Sequence, residues 1–298
     1  MPWQLVVLSR VVSAHIVFPI IVKHLTGLPS RARKLSLQFL FCAVLSVIWL
    51  ACKPQPVLKP AIELGSIMMP AMVLLLLVGG INSFAAYCQW QAIGINLSKT
   101  AVFTQADDFI AVLLGYVFLN ELSFLNSFLL IGIILCFIAA GLFLGGKKSN
   151  GQSNKALLLW IAGYSFIWGV TVFLIRYFAL KGVSFPVFLT GWYGGSFLGS
   201  LIILRLEEKP GLFRLLTAKT VLKVFGLAVV VWLSMCLNFW TFKLVPLTVG
   251  QPIFLVTEMI FPALIGLYLF KEKRDLTREE ITGFALGALG TVIIGLSF

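Results

Sequence analysis

Ten runs of about twenty apolar residues follow one another along this chain, separated only by short polar links. They cover residues 3–22, 36–52, 67–93, 99–119, 124–145, 155–178, 184–205, 220–244, 248–270 and 279–297. About twenty apolar residues in a helix match the hydrocarbon thickness of a bilayer. The runs exceed strand length and lack the two-residue alternation of a transmembrane barrel. Helices are then the way to satisfy backbone N–H and C=O groups in lipid. The expected fold is an all-α integral membrane protein with ten transmembrane helices. Only 11% of the residues are charged, against about 25% in soluble domains, so there is too little polar surface for a water-facing globule. The first run, 3–22, has no basic flank before it and no small-residue cleavage site after it, so it is expected to be the first span, not a signal peptide.

The net charge of +12 would suggest nucleic acid in a soluble protein. Here the basic residues occupy the links between apolar runs, where they set topology. The five cysteines show no pairing pattern and are expected to pack.

The chain repeats itself. A shift of 151 residues carries Gly115, Glu121 and Gly132 onto Gly266, Glu272 and Gly283, and Asp107 onto Glu258. Leucine matches are cheap in apolar helices, but acids in register are not in a chain with so few of them. Each half, 1–146 and 155–298, holds five spans around a polar linker at 147–154. An odd number of spans inverts the second half, which gives two five-helix inverted repeats with a substrate site near mid-bilayer between them.

The segments "GYVFLNE" (Gly115–Glu121) and "GLYLFKE" (Gly266–Glu272), each followed by a fifth helix with an early glycine, and "YSFIWG" (Tyr164–Gly169) carry a resemblance. The chain resembles the EamA-type transporters of the drug/metabolite transporter superfamily over essentially its whole length. Its first helix reads "SAHIVFP" and lacks the Trp-Gly feature. The resemblance implies secondary transport by alternating access, without ATP or a prosthetic group. It also implies termini in the cytoplasm. The charge count points the other way. Of 23 Lys and Arg, 17 lie in the odd-numbered links, which places that side in the cytoplasm and both termini outside the cell (inner) membrane.

Asp107 and Asp108 stand inside "TQADDFIAVLLGYVFLNE". A charge at mid-bilayer costs about 2.5–3.5 kcal/mol on insertion scales, so intramembrane acids are candidates for function. Register places Asp107 and Glu258 at similar depths, able to face one cavity. Helical neighbours diverge by about 100°, so Asp108 is expected at the margin of the site or paired elsewhere. The alternative is that these acids are neutral hydrogen-bonding groups buried in the bundle. Polar residues recur at helical spacing: Thr100, Thr104 and Asp107; Asn82 and Gln89; Tyr164, Trp168 and Thr171; Ser234, Asn238 and Thr241. Such stripes either line a cavity or hold helices together. Tyr164 and Trp168 add faces that attract a cation. His15 is either an interhelix hydrogen-bonder or a contact for substrate or proton, and Arg10 is near enough to its span end to snorkel. Glu121 and Glu272 close helices where the macrodipole disfavours a carboxylate. With Gly115 and Gly266 they are assigned a structural or gating role, held by N–H groups of the next helix or by Lys273 or Arg274.

No HExxH, GxGxxG, Walker or GxSxG motif is present, and two histidines do not make a multi-His metal site. No enzyme, metal or cofactor is expected. The expected function is secondary transport of a small polar metabolite: an amino acid, an amine or another zwitterion. Protons are the candidate coupling ion. The alternatives are a proton-coupled exporter of lipophilic cations and, in another class, a non-transporting membrane assembly subunit.

Overall fold

In the computed structural model, residues 3–28, 30–52, 61–119, 126–145, 154–207, 216–272 and 278–296 are described. Among them the regular elements are all helical: α1 (Trp3–Val11), the π-turn π1 (Val12–Val17), α2 (Phe18–Thr26), α3 (Arg31–Cys52), α4 (Ala61–Ile95), α5 (Leu97–Phe103), α6 (Ala106–Phe118), α7 (Ser127–Gly145), α8 (Asn154–Leu180), α9 (Phe185–Glu207), α10 (Ala218–Leu244), α11 (Leu247–Leu264), π2 (Ile265–Leu269) and α12 (Arg278–Leu296). Seven helical stretches are long and apolar enough to cross a membrane: Trp3–Thr26, Arg31–Cys52, Ala71–Ile95, Leu97–Phe118, Lys155–Leu180, Phe185–Glu207 and Ala218–Leu244. The chain is an all-α, multi-pass membrane protein. Glu121 and residues 147–153 of the expected linker lie outside the described residues, and Asn154 already belongs to α8.

The distribution of side chains suits lipid. Leu77, Val117, Leu159 and Phe166 are exposed, while Gln38, Asn82, Ser83, Ser196, Ser200 and Asn238 are buried. That reverses the soluble pattern, because lipid-facing apolar groups need no cover and helices associate through small and polar residues. The α4–α9 contact shows how. A Cβ added at Gly195 would lie 2.0 Å from the Leu76 carbonyl oxygen, and one at Gly79 would lie 2.1 Å from that of Trp192. Bare glycines let the two backbones meet, and the Ser196 hydroxyl donates to the Gly79 carbonyl at 3.0 Å.

Two spans depart from regular helix. The first widens into π1 around His15, a distortion common at functional sites. The fourth apolar run, 99–119, is expected to form one unbroken span. Instead α5 stops at Phe103, Thr104 and Gln105 form a tight turn, and α6 starts at Ala106. Asp107 and Asp108 therefore occupy the first turn of a helix, where the macrodipole favours negative charge.

Candidate functional site

A cavity of about 120 Å³ lies inside the bundle, walled by Arg10, His15, Gln38, Asn82, Gln89, Trp90, Tyr164, Trp168, Trp192, Tyr193, Ser234, Asn238 and Glu258 among others. Of the residues expected at the site, His15, Gln89, Asn238, Tyr164, Trp168 and Glu258 meet here. Tyr164 and Trp168 stack with centroids 6.3 Å apart and planes 14° from parallel, one turn apart on α8. Thr104 instead lines a small adjoining recess with Thr100, Gln89 and Glu258. Its hydroxyl is turned back onto the Ala101 carbonyl at 3.3 Å.

Asp107 and Asp108 are each 1% exposed and are not among the cavity walls. Asp107 Oδ1 accepts the Asp108 N–H at 2.9 Å, a first-turn donor with no helical acceptor of its own. Gln251, on α11, donates to Asp108 Oδ1. The Oδ2 atoms of both acids have no hydrogen-bond partner among the described residues. Gly169, of the Trp-Gly pair, lets α8 approach this point: a Cβ there would sit 2.6 Å from the Asp107 carbonyl oxygen.

Arg10 does not snorkel. It is 5% exposed, its Nη1 donates to His15 Nε2 at 3.1 Å, and its guanidinium carbon lies 3.5 Å from the centroid of the Phe254 ring. Arginine has no acceptor atom, so His15 Nε2 must be the unprotonated nitrogen. The proton is then on Nδ1, which donates to Thr257 Oγ1 at 2.8 Å, and the Thr257 hydroxyl in turn donates to the Ile253 carbonyl at 2.9 Å. Glu258 Oε2 stands 3.7 Å from His15 Nε2, beyond hydrogen-bond reach. Sequence reading missed Arg10 as a wall residue because π1 and the burial of α1 are not written in hydropathy. Trp192 and Tyr193 also stand among the walls, though their glycine-rich stretch "GWYGGSFLGS" favours packing as their role.

The second acidic centre is built differently. Glu272 Oε1 accepts the Leu97 N–H at 3.0 Å. Its Oε2 accepts the Ser98 N–H at 2.8 Å and the Ser98 hydroxyl at 2.7 Å. Lys23 pairs with Oε1 at 2.8 Å and also donates to the Ile93 carbonyl at 2.9 Å. Of the expected partners, Lys273 and Arg274 lie outside the described residues. Among the described residues the carboxylate caps α5 and binds the end of the first span. Burial alone would push this carboxyl up, but the Lys23 hydrogen bond and charge and the two N–H donors outweigh it and hold it below the usual range. Gly266 makes room for this joint: a Cβ there would sit 2.3 Å from Ser98 Oγ and 2.6 Å from Glu272 Oε2. Lys271, at φ 58°, turns the chain so that Glu272 points back. No group of three or more metal-ligating side chains is present among the described residues.

The geometry defines a polytopic helical membrane protein with a buried polar chamber. No family model and no curated protein matches the sequence. A solved structure described as "Crystal structure of protein" superposes on it with a TM-score of 0.61 at 14% identity, covering 98% of each chain. The fold is therefore shared with that protein over nearly its full length.

Proposed function

We propose that the chain is a secondary transporter that moves a small polar metabolite, an amino acid, amine or other zwitterion, across the cell (inner) membrane by alternating access. The observation that carries this reading is the chamber: Glu258, Gln89, Asn82, Asn238, Arg10 and an aromatic pair face one space inside an apolar bundle. Intramembrane ionisable groups gathered around a cavity mark a solute or ion pathway. The volume, about 120 Å³, is near the roughly 150 Å³ that accommodates a benzene-sized guest, so the solute is small.

In this reading α7, α11 with π2, and α12 also cross the bilayer. Ten crossings then form two inverted five-helix repeats. The packing supports it. Exchanging the halves turns the α4–α9 contact into α10–α3, α4–α8 into α10–α1, and α7–α12 into itself, and all of these contacts occur. Membership of the EamA-type transporters belongs to the same reading. It gains support from the joint of Gly266 and Glu272, which gives that motif a physical purpose.

The Tyr164–Trp168 stack in a chamber with Glu258 also suits a lipophilic cation, which is the second reading. The guanidinium in the same wall disfavours it. Uptake of a metabolite panel into proteoliposomes containing the purified protein tests both. Saturable flux of a small zwitterion or amine supports the first reading, and flux of bulky lipophilic cations alone supports the second. No flux for any solute removes both and leaves the membrane assembly subunit.

A further inference from the structure

We infer that Arg10 is the receptor for a carboxylate on the transported solute, so that the chamber selects α-amino acids over amines. This rests on the transporter reading of the same cavity and narrows it.

The guanidinium is buried, lines the cavity and forms no ion pair within the described residues. A buried charge is normally matched by a partner, because its desolvation is costly. Here its direct contacts are a neutral histidine nitrogen and the face of Phe254, and Glu258 and Asp108 act on it only through space. The bond to His15 uses Nη1, while Nε is shut off from solvent and has no hydrogen-bond partner among the described residues, so a carboxylate reaches it only as the chamber adjusts around the solute. Nε belongs to the planar donor fork with which arginine grips carboxylates in bidentate fashion. The Phe254 ring, 3.5 Å from the guanidinium carbon, holds the group in place before a solute arrives, which lowers the ordering cost of binding.

The chamber also provides for the opposite charge. Glu258 Oε2 is 3.7 Å from His15 Nε2, which is itself 3.1 Å from Arg10 Nη1. Arg10 Nη1 and Glu258 Oε2 are thus no more than 6.8 Å apart. An amino nitrogen and its neighbouring carboxylate carbon are about 2.5 Å apart. With a hydrogen bond of about 2.9 Å at each end, an α-amino acid in a bent arrangement bridges the two residues. The carboxylate lies on Arg10 and the ammonium on Glu258. A simple amine would occupy the Glu258 end and leave the buried guanidinium without a partner.

The experiment is a thermal-shift screen of the full chain in detergent micelles. Each proteinogenic α-amino acid is paired with its decarboxylated amine and its carboxamide. The best-responding set is then repeated on R10Q and R10K and in proteoliposome flux. At least one amino acid should bind tenfold or more tighter than both of its derivatives. R10Q should remove that tenfold preference without weakening the amine, and R10K should restore it only in part, because lysine keeps the charge and loses the fork. Amines or carboxamides that bind wild-type protein as tightly as their parent acids overturn the proposal, and this result does not depend on whether the variants fold. An acid preference that survives in folded R10Q also overturns it. Flux of amines with no preference for acids sinks the carboxylate receptor and leaves the transporter standing. Absence of binding and flux for every probe sinks both.

Discussion

Glu272 and Glu258 are register mates of Glu121 and Asp107 in one repeat pattern, yet they sit in opposite circumstances. Glu272 is saturated. Two backbone N–H groups, a hydroxyl and an ammonium take up its oxygens. Glu258 lines a cavity and has a histidine nitrogen 3.7 Å away. A carboxylate whose valences are filled inside the protein can only hold the protein together. One whose valences are left open toward a chamber can exchange partners. The difference teaches that, among buried acids, the completeness of the partner set separates architecture from chemistry better than burial or charge does.

Four experiments press on that contrast. The largest effect is expected from E258Q, which should cut flux of the transported solute at least tenfold while the protein stays folded in the membrane. D107N and D108N should be milder, because those acids lie outside the chamber walls. Flux measured between about pH 5.5 and 8 reads both amount and coupling. Flux and pH profile surviving in E258Q would make that carboxylate a silent wall residue.

Next comes stability. E272A strips the partners from Lys23 and from the N-terminus of α5, and breaking a buried pair from one side costs about 3–5 kcal/mol. Unfolding of the protein in mixed micelles measures this. The pH dependence has a definite sign. A carboxyl held below its unfolded value, about 4.3, stabilises the fold fully above that value. The stabilisation is lost as pH falls through the lower folded value. Wild type should therefore show an acid limb that E272A lacks, and no change from this group near neutrality. Identical acid limbs in the two proteins would remove Glu272 from the joint.

G266A should cost about 1–3 kcal/mol by overpacking, since its Cβ would meet Ser98 and Glu272. S98G, which deletes the nearest obstructing hydroxyl, should recover part of the loss. Full tolerance of G266A would mean that the joint is loose. The smallest effect is expected at Gly226, where an added Cβ meets nothing within 4 Å. G226A should be neutral or stabilise α10 by up to about 1 kcal/mol, and a loss comparable to that of G266A would show that space at the glycine does not decide the outcome.

The helices were legible because a bilayer imposes a length and hydropathy records it. That Glu272 needed donors was legible from its place at a helix end. Their identity was not, since Leu97 and Ser98 are 175 and 174 residues away and no local pattern encodes the contact. The break before Asp107 was also hidden. Thr104 and Gln105 carry no glycine or proline signal, and the joint forms where the Asp107 side chain takes the N–H that regular helix would have used. Register favoured Asp107 as a wall. The Asp107 carboxylate instead accepts the Asp108 N–H, its backbone carbonyl meets α8 at Gly169, and Glu258 alone of the three acids lines the chamber.

The π-turn Val12–Val17 gives the lineage of such proteins a particular freedom. A π-turn holds one residue more than the α-helical path it replaces. Deleting one residue there would restore regular helix and leave the segments on either side in register. Trp3–Val11 and α2 would keep their places, the joint at Lys23 with them, and only the residues of the turn itself, His15 among them, would be re-aimed. The first span can thus gain or lose a residue at this point without disturbing the helical pieces that flank it.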